Sequence, residues 1–201
     1  MAGIIALTIK FSYVHKWNGA RKESIHSNSN GAVMELGIKE KQPNSKMCFV
    51  CGVDNDFGLK SRFYELDNGE IMAIFTPSRE HQGYPGRLHG GIAAAILDET
   101  IGRAIMVKQS SDIWGVTIDF SMRFKKPIPL ECDIRVIARI NKDNKRMFEG
   151  SGEILLADGT PAIEAQGKYM KMDIRNITDT NFTEESWEVI ASSDDPLKVE
   201  L

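Results

Sequence analysis

One run of this sequence has residue types and spacing that could do chemistry: His89-Gly90-Gly91, with Asp98 seven residues after Gly91. Residues 90–107, GGIAAAILDETIGRAIMV, are rich in alanine and isoleucine and apolar on nearly every side, the pattern of a buried helix. A helix starting there leaves its first N–H groups without intrahelical partners and presents the positive end of its dipole. Two glycines at that end let a carbonyl group approach the bare backbone closely, which would stabilise a developing oxyanion. Seven residues make almost two turns, so Asp98 returns to the face of Gly91. A carboxylate in so apolar a helix must be paired, hydrogen-bonded or functional. The plain alternative is a tight turn before a helix, with Asp98 exposed or partnering Arg103. Glu99 lies about 100° further round, so one of the two acids, not both, can face a given site.

The elements that must position this run are legible as patterns. Residues 58–66 and 70–76 read as a strand pair turning at Asp67-Asn68-Gly69. Residues 113–125 alternate strictly, with Val116, Ile118, Phe120, Met122 and Phe124 on one face and Thr117, Asp119, Ser121, Arg123 and Lys125 on the other. Residues 132–140, 146–156 and 160–172 complete the set, the last two turning at Asp158-Gly159. Gly150, Gly152 and Gly167 inside them mark bends or close backbone approach. Two strands, a buried helix and four strands predict an α+β fold, a curved antiparallel sheet wrapped around one helix. At roughly 18 residues that helix would be about 27 Å long. The 113–125 strand is the natural pairing edge of such a sheet.

The chain has 201 residues, 42% hydrophobic and 26% charged, which excludes collagen, global disorder and a polytopic membrane protein. A net charge of −3 argues against a nucleic-acid partner. The charge is uneven: residues 1–46 carry +4, 47–172 carry −1 and 173–201 carry −6. The expected organisation is a basic, poorly ordered extension over 1–46, a folded body over 47–172, and an acidic tail over 173–201. In the tail, Asn181 or Thr183 would cap a short helix carrying Trp187 and Ile190. The apolar run Ile4–Ile9 is too short to span a bilayer and has no charged residue before it. Three cysteines, an odd and sparse set, suggest a reducing compartment. The expectation is a cytoplasmic protein with no membrane partner.

Residues 81–104, HQGYPGRLHGGIAAAILDETIGRA, resemble the signature of the hotdog-fold acyl-CoA thioesterases of the phenylacetate-pathway (PaaI-like) type. The marks are His-Gly-Gly at the start of the helix and an acid nine residues after the histidine. The likeness extends upstream to Cys48-Phe49-Val50-Cys51-Gly52 and Gly58-Leu59, and downstream to Phe124-Lys125-Lys126-Pro127-Ile128-Pro129. It covers roughly 47–172 and implies a hotdog fold and hydrolysis of an acyl-CoA thioester. By the same resemblance, Asp98 acts as general base for water or as nucleophile. Gly90 and Gly91 amides polarise the carbonyl, and His89 shapes their turn. Thr117 matches a Ser/Thr that in some relatives reaches the site from the neighbouring subunit. Where many relatives carry an asparagine six residues before the histidine, this chain has Gly83, and Gln82 stands beside it to supply an amide. Homodimers or homotetramers are implied, with coenzyme A entering as part of the substrate and no other cofactor.

Arg123, Lys125 and Lys126 form a small basic group that reads either as a solvated strand end or as a contact for coenzyme A phosphates. Cys48-x-x-Cys51 is half of a zinc site with no second pair following, so a packed turn without metal is expected. A serine-hydrolase elbow, a P-loop and a dinucleotide fingerprint are absent from the sequence. The competing functions are a non-catalytic acyl-CoA-sensing domain and a hotdog hydratase. The retained Asp98 and Thr117 favour hydrolysis over the first, and the His-Gly-Gly start disfavours the second.

Overall fold

The computed structural model describes residues 35–109, 113–177 and 187–201. The period-two segments pair as antiparallel strands because each has one face to bury. They are β1 (Glu35–Lys41), β2 (Arg62–Leu66), β3 (Ile71–Phe75), β4 (Ile113–Phe124), β5 (Ile134–Asp143), β6 (Met147–Leu155), β7 (Pro161–Asp173) and β8 (Lys198–Glu200). They form one sheet in the order β4-β7-β6-β5-β3-β2-β1-β8. The helix α1 (Gly90–Arg103) packs against β3, β4, β5, β6 and β7. Ile96, Leu97 and Ile101 of α1 meet Phe63, Phe75, Val136, Phe148 and Ile154 of the sheet in a continuous core. Among the described residues, a curved sheet around one α-helix is the hotdog arrangement that the family resemblance implies.

Several boundaries differ from the sequence expectation. α1 ends at Arg103, 14 residues and about 21 Å long. Beyond it the bonds tighten, Ala104 N–H to Ile101 O and Met106 N–H to Arg103 O, and the helix does not reach residue 107. β2 starts at Arg62 rather than 58, because the Leu59 and Ser61 amides donate to the loop carbonyls of Phe49 and Val50. β4 does not alternate strictly. Thr117 pairs with Tyr169 and Asp119 with Lys168, so Ile118 is an extra residue in a β-bulge and stands 51% exposed.

The folded body is also wider than residues 47–172. β1 lies inside the stretch expected to be a loose extension, and β8 inside the tail. Glu35, Leu36 and Gly37 pair with Glu200, Val199 and Lys198. Leu36 and Val199 join Tyr64, Leu66, Met72, Ile137 and Leu155 in a second apolar cluster. That cluster explains why β2 and β3 are buried on nearly every residue instead of alternately. Asp195 ties the last stretch down by accepting from Tyr64 Oη at 2.7 Å and Lys41 Nζ at 2.6 Å. Residues 1–34, and Asn181 and Thr183 as helix caps, lie outside the described residues. Trp187–Ile190 are not helical, and Glu188 makes an isolated bridge with Asn44. Among the described residues no helix is long and apolar enough to cross a membrane.

The close approach of α1 to the sheet depends on Gly150. A Cβ there would stand 2.6 Å from Ile101 Cγ2 and 3.0 Å from the Arg139 carbonyl oxygen. Gly150→Ala should therefore destabilise the protein by about 1–3 kcal/mol, the usual cost of overpacking, read as a lowered denaturant midpoint with an unchanged m-value.

Candidate active site

His89 is the N-cap of α1, in extended conformation, and it satisfies the helix start in two ways. Its Nδ1 accepts the Gly91 N–H at 3.0 Å, and its carbonyl accepts the Ile92 and Ala93 N–H groups at 3.0 and 3.1 Å. The imidazole thus takes the capping role usually given to a short polar side chain. The two glycines expected to act alike are thereby separated. The Gly91 amide is engaged by His89, whereas among the described residues Gly90 N–H has no acceptor. The Phe124 ring lies over Gly90, where an added Cβ would meet it at 3.3 Å, so the end of β4 abuts the start of α1.

Further along α1, the half-buried Asp98 faces β4 and β7. Thr117 Oγ1 donates to its Oδ1 and Oδ2 at 2.9 and 3.1 Å, and Tyr169 Oη donates to Oδ1 at 3.1 Å. Burial raises the Asp98 carboxyl above its ordinary value, opposed by the Thr117 and Tyr169 hydrogen bonds, and the neighbouring Glu99 charge adds to the rise. Burial likewise pushes the Tyr169 hydroxyl up, keeping it protonated and able to donate. The bulge at Ile118 corrects one expectation. Strict alternation would put Thr117 on the face opposite Phe120, Met122 and Phe124. The extra residue brings all four to the helix side, where Thr117 meets Asp98 of its own chain.

Glu99 points away, as its angle round the helix requires. Its Oε1 accepts from Arg103 Nε at 2.9 Å and its Oε2 from Cys48 Sγ at 3.2 Å, so Arg103 partners Glu99 and not Asp98. Gln82 is not brought to Asp98; it is exposed and its Oε1 accepts the Gly86 N–H at 2.7 Å, holding the loop before the helix. A side chain at Gly83 would meet His89 Cα at 3.0 Å, so an asparagine has no room there while the loop keeps this shape. His81, buried, spends both ring nitrogens on Ser78 and the Phe57 carbonyl. Arg123, Lys125 and Lys126 are exposed at the end of β4, beside the helix start, and Lys125 is ion-paired to Glu164.

Tyr169 was not singled out from the sequence. Its trace there is Gly167: an added Cβ at 167 would lie 2.5 Å from the Tyr169 ring, so that glycine makes room for the ring to lie under Asp98.

Comparison with known proteins points to one family. Residues 85–163, which take in His89, Asp98 and Thr117, match the sequence model of the thioesterase superfamily. Acyl-coenzyme A thioesterase THEM4 of Mus musculus is 26% identical over 137 residues, covering 67% of this chain and 58% of that protein. The chain therefore spans little more than half the length of that curated relative. A thioesterase superfamily protein of known structure is 26% identical with a TM-score of 0.56, covering 61% of this chain and 59% of that one. A phenylacetic acid degradation-related protein of Ralstonia eutropha, 18% identical, shares the fold with a TM-score of 0.51 over 56% of this chain and 85% of its own. Over residues 85–163 the chain is similar to the thioesterase superfamily, and its relatives and structural neighbours carry the same likeness.

Removing the Tyr169 hydroxyl would leave the buried carboxylate one donor short. Hydrogen bonds to charged groups contribute about 1.5–3 kcal/mol, so Tyr169→Phe should lower unfolding free energy by that order at neutral pH, measured by urea denaturation.

Proposed function

We propose that this protein hydrolyses an acyl-CoA thioester to the free acid and coenzyme A. The observation that carries the reading is a half-buried carboxylate, Asp98, fixed by Thr117 and Tyr169 on a helix whose first amide, Gly90 N–H, is left open. A thioester carbonyl seated at the helix start would receive the Gly90 N–H and the positive end of the helix dipole as its oxygen becomes negative. Gly91 contributes by holding His89 in place instead of by a direct contact. Asp98 acts as general base. Its Oδ1 takes both Tyr169 and Thr117 while Oδ2 takes only the longer Thr117 contact, which leaves Oδ2 the freer oxygen to accept a proton from water. Gly90 and Asp98 of one chain stand about 12 Å apart along α1, so the thioester that this water attacks is one held at the helix start of a second copy. Coenzyme A departs as the thiolate, and Arg123 and Lys126, exposed at the end of β4, meet its phosphates. The reaction needs no cofactor beyond the substrate itself. The relative THEM4 carries acyl-coenzyme A thioesterase in its name, and that supports the substrate class.

Thiol release from a panel of acyl-CoAs tests this reading. Asp98→Asn keeps shape and hydrogen bonding but removes the base, so kcat should fall by about 10²–10⁴-fold while a non-hydrolysable acyl-CoA still binds. Thr117→Ala, which loosens the carboxylate, should fall between. Near-full turnover by Asp98→Asn would remove Asp98 from the chemistry. Binding of acyl-CoA by the native protein without thiol release would make it an acyl-CoA-binding domain.

We also propose that two copies join along β4. It is an edge of the sheet, 12 residues long, and it carries Ile118 and Phe124, 51% and 57% exposed. Light scattering at micromolar concentration should give a dimer or a dimer of dimers. A fully active monomer would overturn this.

A further inference from the structure

Cys48 and Cys51 take no part in the proposed hydrolysis, yet their surroundings are organised around the two sulfurs. They lie on the loop between β1 and β2, which folds back on itself. Gly52 N–H donates to the Cys48 carbonyl at 2.8 Å, and a Cβ on Gly52 would stand 2.3 Å from that oxygen. Val50 N–H points at Cys48 Sγ at 3.3 Å. Ser45 Oγ accepts the Cys48 N–H at 3.1 Å and lies 3.5 Å from Cys51 Sγ. A third donor comes from α1: the ligand atoms of Cys48, Cys51 and Glu99 all lie within 4.8 Å of one another.

Glu99 divides its two oxygens. Oε1 is held by Arg103, whose buried guanidinium also donates to the Pro43 carbonyl at 2.9 Å and lies 4.1 Å over the Phe63 ring. Oε2 faces the sulfurs. A carboxylate anchored through one oxygen and aimed through the other is how an oriented metal ligand is held.

We propose that Cys48, Cys51 and Glu99 form a structural zinc site that ties the β1–β2 loop to α1. Two thiolates select a soft or borderline ion over calcium or magnesium. Charge closes: two thiolates and a carboxylate carry three negative charges, matched by one divalent ion and Arg103. Zinc bonds of about 2.0–2.3 Å at tetrahedral angles put ligand atoms roughly 3.3–3.8 Å apart, so donors now within 4.8 Å of one another need draw in by no more than about 1.5 Å. The fourth corner falls to water, which the half-exposed Cys48 side admits, since Ser45 is committed to Cys48 N–H and Cys51 Sγ. Loading exchanges the two thiol protons, released to solvent, for the ion. The site lies one residue from Asp98 and fixes α1 at that turn without entering the reaction, so the inference stands apart from the hydrolysis reading.

The test uses the full chain, purified without chelators or added metal. Elemental analysis should find about one zinc per chain. Replacing it with Co²⁺ should produce a thiolate-to-cobalt charge-transfer absorption, absent in Cys48→Ser and in Cys51→Ser. Because a buried cysteine variant can unfold, two further changes carry the test. Ser45→Ala should weaken zinc, measured against a chromophoric chelator, by about 10–100-fold, the usual effect of an outer-shell partner. Glu99→Gln should weaken it by more. Zinc added to the stripped protein should raise its melting temperature and saturate at one equivalent. Substoichiometric zinc together with no charge-transfer band on Co²⁺ titration would overturn the proposal, as would a Cys48–Cys51 disulfide in the protein as isolated.

Discussion

A carboxylate in an apolar helix is costly, and the arrangement of this protein follows from holding Asp98 there. Removing an ionised group from water without compensation costs several kcal/mol, so it must be met by donors. α1 cannot supply them, because the residues one turn either side on that face are Ala94, Ala95, Ile101 and Gly102, and the adjacent Glu99 is another acid. They come from the sheet, and from its two outermost strands on that side. Thr117 of β4 and Tyr169 of β7 sit opposite each other in register and converge on the same carboxyl. The helix and that edge are therefore coupled through one charged group.

Two local departures from regular strand geometry make the convergence possible. The bulge at Ile118 changes which residues of β4 face the helix, letting a polar Thr117 and the apolar Phe120 and Met122 share one face. Gly167, two pairs along from the bulge, vacates the space that the Tyr169 ring fills. Stacking of that ring on Phe148, with centroids 4.9 Å apart, then fixes where its hydroxyl points. A regular strand in either place would leave the carboxylate exposed to apolar neighbours.

The opposite side of α1 is organised around Glu99 and Arg103 in the same manner, with the β1–β2 loop in place of the sheet edge. Arg103 is 2% exposed, yet it is tolerated because Glu99, the Pro43 carbonyl and the Phe63 and Trp187 rings surround it. Adjacent acids on one helix thus serve separate constellations, since the 100° step between them points them at different elements. β1 and β8 close the far end of the sheet over a second apolar cluster, which keeps the strands bearing Phe63 and Phe75 in place beneath the helix.

The sequence by itself determined what is local. The apolar composition of 90–103 makes a buried helix, the glycine turns at 69 and 159 close hairpins, and the seven-residue step puts Asp98 on the helix face of Gly91. Each is set by the periodicity of a single segment, so each was legible without neighbours. The tertiary structure decided what depends on pairing between distant segments. Where strict alternation turned Thr117 away, the register with β7 turned it inward, onto Asp98. Tyr169, silent as a strand residue, became a partner of Asp98. Gly91, alike in sequence to Gly90, was claimed by His89. Half of a zinc motif acquired its third donor from a helix 48 residues further along. Residues 35–41 and 198–200, polar and too short to show a pattern, became strands by pairing with each other and with β2. The common reason is that strand register, bulges and loop–helix contacts are fixed by which side chains fit together across the sheet, and a period read along one segment carries no information about its partner.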